Sequence, residues 1–168
     1  MAAQTNTTAS NYFDLHTSGL GYMNRLRLVR PDKSRGQKFS PFWAVSISAI
    51  TGDGDDVKYV NYDVTIKGEQ AKEALNVLKP FLIDDKGQPV KTNKVLVGFR
   101  IGDALPDIYM VKGKDPGTEE PRVCMKGRLL KLTSAKVNGE VIDLPKTEHD
   151  EAKAAAAESS SPEQGEGQ

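Results

Sequence analysis

The chain has 168 residues, of which 38% are hydrophobic and 27% are charged. This composition allows one domain with a core of its own and argues against a wholly disordered chain. The apolar runs fall far short of the roughly 20 residues that a transmembrane helix needs, and the first residues lack the apolar segment of a secretory signal. A single cysteine, Cys124, excludes an intramolecular disulfide and a cysteine-rich zinc site. We therefore expect a cytoplasmic protein with no membrane contact, no metal and no cofactor.

The net charge of zero hides an asymmetry along the chain. Residues 147–168 contain six acids and one base, which leaves 22 bases and 17 acids, a net charge of +5, in residues 1–146. Because no large apolar side chain follows Leu144, residues 147–168 are predicted to be a disordered acidic tail. Residues 1–18, rich in Thr, Ala and Asn, are predicted to be a flexible N-terminal arm. Residues 19–146 are then the folded domain.

The first half of this domain has the hydrophobic pattern of β-strands. Alternating apolar and polar residues predict three strands, at 22–30, 42–50 and 59–67. Residues 51–56, rich in Gly and Asp, predict a hairpin turn between the second and third of them. The period then becomes helical at 69–79, and Pro80 is expected to end the helix.

Strand character returns after the helix and predicts the fold class. Three further segments contain strand-forming residues, at 94–101, 108–111 and 122–132. Asn138-Gly139 predicts a last short hairpin. Three strands, one helix and two or more strands form the order of an OB fold, a five-stranded antiparallel barrel with one helix between strands 3 and 4. The predicted class is therefore mainly β and OB-fold-like, although other small α+β sheets fit the same order.

Residues that could catalyse a reaction are sparse. His16 and His149 lie outside the periodic segments, and the sequence contains no Walker-type phosphate loop, no nucleophile elbow and no His/Cys metal-ligand spacing. Cys124 lies in an apolar strand, where a lone cysteine is usually a small core residue. We therefore predict that the protein is not an enzyme.

Four aspartates offer one enzymatic alternative, a metal-dependent nuclease. They are Asp53, Asp55, Asp56 and Asp63. The first three lack the glutamate that closes a calcium-binding loop, and the chemistry of a hairpin turn explains them equally well.

Basic side chains cluster in two segments. The first cluster has six bases beside one acid, Asp32, and consists of Arg25, Arg27, Arg30, Lys33, Arg35 and Lys38. The second, within residues 122–136, contains no acid and includes Lys126 and Arg128. A positive groove that follows the phosphates is one of the two elements that bind single-stranded nucleic acid. If the first six bases all neutralise phosphates, the affinity falls with salt with a logarithmic slope of roughly −4.

Aromatic residues on the same strands supply the second element, rings that stack on bases. Phe42 and Trp43 are neighbours on a strand, so one faces the core and the other can be exposed. Tyr59 shares the outward positions of its strand with Asn61 and Asp63. Further candidate rings are Tyr62, Phe99 and Tyr109. The sequence thus predicts sequence-tolerant binding of single-stranded DNA, mainly by Phe42, Trp43, Tyr59 and the two basic clusters. A solvated charged face with aromatics in the core is the alternative interpretation.

Part of the chain resembles bacterial single-stranded DNA-binding proteins. The segment Lys58-Tyr-Val-Asn-Tyr-Asp-Val-Thr-Ile-Lys-Gly68, a helix, and then Lys94-Val-Leu-Val-Gly-Phe-Arg100 resemble that family's third strand, helix and fourth strand. In the family, an aromatic that opens the third strand stacks on DNA, and Tyr59 occupies the matching position. The acidic tail is similar too, but it lacks the hydrophobic residue that ends the family's tails and docks into partner proteins.

Residues 18–144 resemble more closely a bacterial family found on integrative and conjugative elements and genomic islands. The segments Gly19-Leu-Gly-Tyr-Met-Asn-Arg25 and Phe42-Trp-Ala-Val-Ser-Ile-Ser-Ala49 carry this resemblance. Members are generally labelled as element replication proteins. The resemblance implies a role in replication or transfer of a mobile genetic element, with single-stranded DNA and replication or conjugation proteins as partners. Single-strand binders of this kind are often homo-oligomers. An OB-fold module that binds one of those proteins and no DNA is the alternative function.

Overall fold

The computed structural model describes residues 15–146. The predictions for the acidic tail, His149 and most of the N-terminal arm lie outside these residues. The described chain forms, in order, β1 (His16–Val29), β2 (Phe42–Asp53), β3 (Asp56–Ile66), α1 (Glu69–Leu82), β4 (Val95–Lys112), β5 (Glu119–Val137) and β6 (Glu140–Ile142). β1 therefore begins before residue 19, the predicted start of the domain.

The strands form one sheet whose first five members close into a ring. They are hydrogen-bonded in the order β3-β2-β1-β4-β5-β6, and β3 pairs in addition with β5. The β3–β5 pairing is parallel, whereas the other neighbours are antiparallel. The fold class predicted from the sequence is confirmed: the protein is mainly β, with a barrel-like ring of five strands and one helix between the third and fourth. Ring closure pairs the strand edges that would otherwise be exposed.

The core fills the interior of the ring. Alternation along each strand sends one set of side chains inward, and among the most deeply buried of these are Val45, Ile47, Val64, Val97, Ile101 and Leu129. The buried face of α1 joins the same hydrophobic cluster through Ala74, Leu75 and Leu78. The helix is attached to β5 by the buried side chain of Gln70. Its nitrogen donates to the carbonyl of Leu132 (2.8 Å), and its oxygen accepts from the Leu132 N–H (2.8 Å).

Pro80 lies inside α1, so the prediction that it ends the helix near Lys79 is wrong. A proline within a helix removes one backbone hydrogen bond and strains the preceding turn. Here the last turn is held by the N–H of Ile83, which donates to the carbonyl of Lys79 (3.0 Å). Leu82 is buried in the core, and this packing offsets the lost bond.

β4 is one strand where the sequence pattern predicts two. It stays paired with β5 through three irregularities in register, the last between Gly102 and Leu105. β-Bulges of this kind bend a strand without ending its pairing. Beyond the ring, residues 107–112 and 119–124 pair only with each other. Residues 107–124 therefore form a two-stranded projection that we term the arm, which is distinct from the N-terminal arm of residues 1–18.

No helix within residues 15–146 is long and apolar enough to cross a membrane.

Candidate nucleic-acid interface

β1, β2 and β3 share one outer face of the ring, opposite to the core. The strand register places the outward side chains in rows that cross the three strands. The two middle rows are polar and consist of Tyr22, Ser48 and Asn61, and of Asn24, Ser46 and Asp63. A polar outer face with an apolar inner face is what period-two alternation produces.

A groove with a cavity of about 380 Å³ opens on this face, and we term it the outer groove. The ring contributes Asn24, Arg27 and Asp63 to its lining, and the arm contributes Asp107 and Tyr109. The groove therefore lies between the outer face of the sheet and one face of the arm. A concave surface with convergent polar groups is the usual form of a ligand site.

Arg25 lines the groove because β1 contains a bulge. The register between β1 and β2 shifts between Asn24 and Arg27, and Arg25 has a φ of 50°, which is uncommon for a residue other than glycine. Leu26 stays buried, while Arg25 and Arg27 both line the groove. Such backbone strain is often found at functional sites, where a bulge re-aims a side chain.

Two acid–base pairs occupy the groove. Arg27 Nη2 donates to both carboxylate oxygens of Asp63, at 2.8 and 2.9 Å. Lys126 Nζ lies 3.0 Å from Asp107 Oδ2, and this hydrogen bond raises the pKa of Lys126, so that Lys126 is a cation at neutral pH. Because each cation already has a carboxylate partner, it attracts a phosphate less than an unpaired cation does.

The loop of residues 30–41, which connects β1 to β2, holds the remaining bases of the first cluster, and we term it the basic loop. Arg30, Lys33 and Lys38 are exposed. Within the described residues, these three and Arg25 form no ion pair with an acid. Arg35 is the exception in the loop, since its Nε lies 3.4 Å from Asp32 Oδ2. The basic loop therefore presents mostly uncompensated positive charge.

Asp32 organises the basic loop and pairs with only one of its four bases, Arg35. Its Oδ1 accepts from the Ser34 hydroxyl (2.5 Å) and from the N–H of Ser34 (3.0 Å), and these bonds lower the pKa of Asp32 below its ordinary 3.8. A depressed carboxyl pKa adds stability above the ordinary value, and this stability is lost only as the pH falls through the lowered one. Asp32 therefore stays ionised around neutral pH.

Two tyrosines adjoin the groove at the end of the outer face nearest the β2–β3 hairpin. The ring centroids of Tyr22 and Tyr59 are 6.5 Å apart and their planes are inclined at 44°. Tyr59 is 54% exposed, so its ring is accessible, and it follows Asn61 on the outward side of β3. Tyr109 adds a third exposed ring from the arm. Phe99, one of the further candidate rings, is instead buried in the core. Tyr62 is also buried, but it lines the groove.

Phe42 and Trp43 lie at the opposite end of β2, next to α1, and neither lines the outer groove. Trp43 packs against the core, with Lys79 Nζ 4.5 Å from its ring centroid. Phe42 lies on the outward side of β2, and its ring centroid is 5.6 Å from that of Phe39. Of the three main predicted rings, Tyr59 alone adjoins the groove.

The structure thus divides the predicted binding residues among four places. The groove contains Arg25, Arg27 and Lys126, and Tyr59 adjoins it; the basic loop contains Arg30, Lys33, Arg35 and Lys38; Phe42 and Trp43 lie beside α1. Arg128 lies on β5, opposite Thr65 of β3, and forms an ion pair with Asp103.

Some residues that the sequence analysis did not propose as contacts line the groove, as Asn24 does, or adjoin it, as Tyr22 does. Tyr22 and Asn24 share the outward side of β1, and their alternation before the bulge is a signal that could have found them. In the sequence analysis, Asp63 lies on the outward side of its strand and has a role only as a nuclease acid, whereas in the structure it forms an ion pair with Arg27 and lines the groove.

The described part of the chain contains no cluster of metal ligands that a metal-dependent reaction would need. Asp53 and Asp56 are opposite each other in the strand register at the β2–β3 turn, whereas Asp63 lies further along β3. In residues 15–146, no group of three or more His, Cys, Asp or Glu side chains could hold a metal ion. Cys124 is partly buried against the groove, and its burial raises the pKa of the thiol, so that it is protonated at neutral pH.

Residues 6–151 match the model of a family described as "Protein of unknown function (DUF3577)". The chain belongs to this family. No curated protein and no solved structure matches the chain. The description of the DUF3577 family assigns no activity, so the link to single-stranded DNA and to element replication stays a prediction.

Proposed function

We propose that this DUF3577 protein binds single-stranded DNA without catalysing a reaction, by means of the outer groove and the basic loop. One observation carries the proposal: unpaired and paired cations and exposed tyrosine rings lie together on one open face of a closed sheet. Arg25, Arg27 and Tyr109 line one groove, and Tyr59 adjoins it on β3. This combination supplies both elements that a single strand requires, charge for its phosphates and flat surfaces for its bases.

The basic loop provides the long-range attraction. Its exposed cations lie in the connection that leads from β1 to β2, so they flank the strands that form the groove. A strand attracted by the loop releases counterions, and the affinity depends strongly on salt. Stacking on Tyr59, Tyr22 and Tyr109 then holds the bases with little dependence on their identity.

A titration with a fluorescently labelled oligothymidylate tests this function. The oligonucleotide should exceed the roughly 4–16 nucleotides that one OB-type domain covers. We expect saturable binding that weakens steeply between low and high salt, together with quenching of tyrosine emission. A labelled duplex of equal length is the control, since its bases are stacked and unavailable. Equal binding of duplex and single strand would contradict the stacking part of the proposal.

A second candidate function, protein interaction, is favoured by the other face of the arm. Ile108, Met110 and Val123 are 70%, 55% and 60% exposed and alternate with the residues that line the groove. A two-stranded hairpin is marginally stable by itself in water, and exposed apolar patches often mark interfaces. We assign this face to a second copy of the chain, since a two-fold contact needs only one self-complementary patch.

The oligomeric state tests this assignment. Light scattering coupled to size-exclusion chromatography should find a homo-oligomer for the unmodified protein and a smaller species for Ile108→Ser/Val123→Ser. A monomeric unmodified protein would leave the arm to a replication or conjugation protein, as the alternative function requires. If that alternative is correct, the protein binds no oligonucleotide at any salt concentration.

The process served is part of the same proposal. The resemblance of residues 18–144 to element replication proteins supports a cytoplasmic role in replicating or transferring a mobile genetic element. Deleting the gene from such an element and measuring its copy number and transfer frequency tests the role. Unchanged copy number and transfer would contradict it.

A further inference from the structure

The floor of the outer groove carries a defined set of hydrogen-bonding groups on β3. Asn61 and Asp63 are two residues apart on the outward side of this strand, so their side chains point the same way. The Ser48 hydroxyl donates to Asn61 Oδ1 (3.1 Å), which leaves the Asn61 amide nitrogen to donate. The same surface thus presents a donor at Asn61 and acceptors at Asp63.

The carboxylate of Asp63 has an orientation fixed by Arg27. One guanidinium nitrogen donates to both of its oxygens, and an ionised carboxylate has about four acceptor positions, so acceptor capacity is left over. The side chain of Asp63 keeps 26% of its surface exposed and lines the cavity. A carboxylate repels phosphate, so in a single-strand groove its partner is a base edge that carries N–H donors.

Guanine has the edge that fits this order of groups. Its Watson–Crick edge presents one acceptor, O6, followed by two adjacent donors, the N1–H and the N2 amino group. Cytosine and adenine each present one amino donor next to acceptors, and thymine presents a single N–H between two carbonyls. The Asn61 donor can meet O6, while the Asp63 carboxylate accepts from both N1–H and N2–H in a bidentate contact, the geometry that best discriminates one base from another.

A flat surface for the same base is available on the arm. Tyr109 is 44% exposed and lines the cavity across from the sheet. A base whose edge meets β3 can therefore stack on this ring, and base–aromatic stacking accepts any base with at most a modest preference. Tyr109 thus contributes affinity for a base, whereas Asn61 and Asp63 determine which base is bound.

We propose that the outer groove contains one guanine-reading position, in which Asp63 and Asn61 bind the Watson–Crick edge of a guanine base. The inference rests on the proposed single-stranded DNA binding and refines it, because sequence tolerance then holds along the strand except at this position. A guanine base can come from a single strand or from a free guanine nucleotide, and the test separates these two sources.

Competition among matched oligonucleotides tests the proposal. An oligothymidylate is compared with the same oligomer containing one central guanine, inosine or 7-deazaguanine. We expect the guanine oligomer to bind at least about fivefold more tightly, the lower end of the effect of one bidentate base contact. Inosine lacks the N2 amino group and should lose most of this gain, whereas 7-deazaguanine lacks only N7 and should keep it. Equal affinities for all four oligomers would overturn the proposal and leave single-strand binding intact.

Two variants locate the reading position. Asp63→Asn should abolish the guanine preference, measured within this variant as the ratio of its affinities for the guanine-containing oligomer and for oligothymidylate, because the amide lacks the second acceptor oxygen. Asn61→Ala, at an exposed position, should reduce the preference and serves if Asp63→Asn proves unstable. A preference that survives both changes would place the guanine contact elsewhere and overturn the assignment.

Calorimetry with deoxyguanosine monophosphate identifies the source of the base. Weak or undetectable binding of the mononucleotide, together with a guanine preference in oligomers, assigns the position to a strand. Tight binding of the mononucleotide that is lost in Asp63→Asn assigns it to a free nucleotide. If no oligonucleotide binds, the proposed function fails, and the mononucleotide titration alone decides whether the groove reads guanine.

Discussion

The outer groove and the basic loop both carry cations, but only the groove pairs most of them with acids. Arg27 and Lys126 lie within 3.0 Å of Asp63 and Asp107. The basic loop, in contrast, presents Arg30, Lys33 and Lys38 without an acid partner among residues 15–146. Under the proposed function, attraction for phosphate and recognition of bases therefore belong to different regions of the molecule.

This division has a simple electrostatic reason. An unpaired exposed cation gains a partner when a phosphate arrives and releases a counterion from the nucleic acid. A paired cation must first give up its carboxylate, so its net gain is smaller, but the pair holds fixed donors and acceptors where bases can meet them. The following variants separate these two roles.

Neutralising the basic loop should have the largest effect on DNA affinity. In the triple variant Arg30→Gln/Lys33→Gln/Lys38→Gln, the logarithmic salt slope should fall by about 2, since each lost phosphate contact on a single strand removes ~0.7. Over a tenfold range of salt concentration, that difference amounts to about a hundredfold in affinity at the low-salt end. Fluorescence anisotropy with a labelled oligothymidylate measures both quantities.

The matched control replaces three exposed lysines outside the loop and the groove with glutamine, as in the loop variant. They are Lys86, Lys91 and Lys146. This variant has the same net charge as the loop variant and should retain most of the affinity. If both variants lose affinity equally, net charge and not the position of the loop governs binding.

Removing the most exposed tyrosine next to the groove should have the next largest effect. Tyr59→Ala is expected to weaken binding by about 1–3 kcal/mol, the contribution of one base–aromatic stack, without changing the salt slope. Tyr59→Phe retains the ring and should bind nearly as well as the unmodified protein. A change in slope in Tyr59→Ala, or an equal loss in Tyr59→Phe, would show that the ring does not act by stacking.

Arg25 and Lys126 line the same groove and differ in whether an acid is paired with them. Arg25→Gln should reduce the salt slope by about 0.7, the full effect of one phosphate contact. Lys126→Gln should reduce it by less, because the lysine is already neutralised by Asp107. Salt titrations of the two single variants measure this difference, and identical slopes would contradict the distinction between paired and unpaired cations.

The smallest effect on DNA binding is expected at Trp43. Its ring packs against the core beside α1 and does not line the groove, so Trp43→Phe should change affinity less than about twofold while lowering the free energy of unfolding by roughly 1 kcal/mol through lost packing. Thermal unfolding and the oligothymidylate titration test both parts. A large loss of affinity with unchanged stability would contradict this and show that Trp43 contacts DNA.

Local patterns were sufficient to predict the elements of the ring. The alternation at 22–30, 42–50 and 59–67, the helical period after Gly68 and the Asn138-Gly139 turn all correspond to observed strands, helix and hairpin. These signals depend on near neighbours in the chain, which is why the order of elements and the fold class follow from the sequence. The clustering of bases in the sequence likewise predicted a positively charged surface on β1 and on the loop that follows it.

The rest of the site depends on contacts between distant segments. Arg27 and Asp63 are on different strands, and their pairing follows from a register that the bulge at Arg25 sets. A one-residue bulge has no reliable sequence signature, yet it decides which side chains line the groove. The continuity of β4 and the passage of α1 through Pro80 are also decided by tertiary packing, which overrides the local signals.

The most direct test of the account is the salt dependence of oligothymidylate binding by the unmodified protein. The proposed function makes Arg25, Arg30, Lys33 and Lys38 the principal phosphate contacts, so the logarithmic slope should be about −3, shallower than if all six bases of the first cluster took part. Saturable binding with this slope, accompanied by tyrosine quenching, is the expected result. An absence of binding, or an affinity that salt leaves unchanged, would contradict the central claim that this face binds single-stranded DNA.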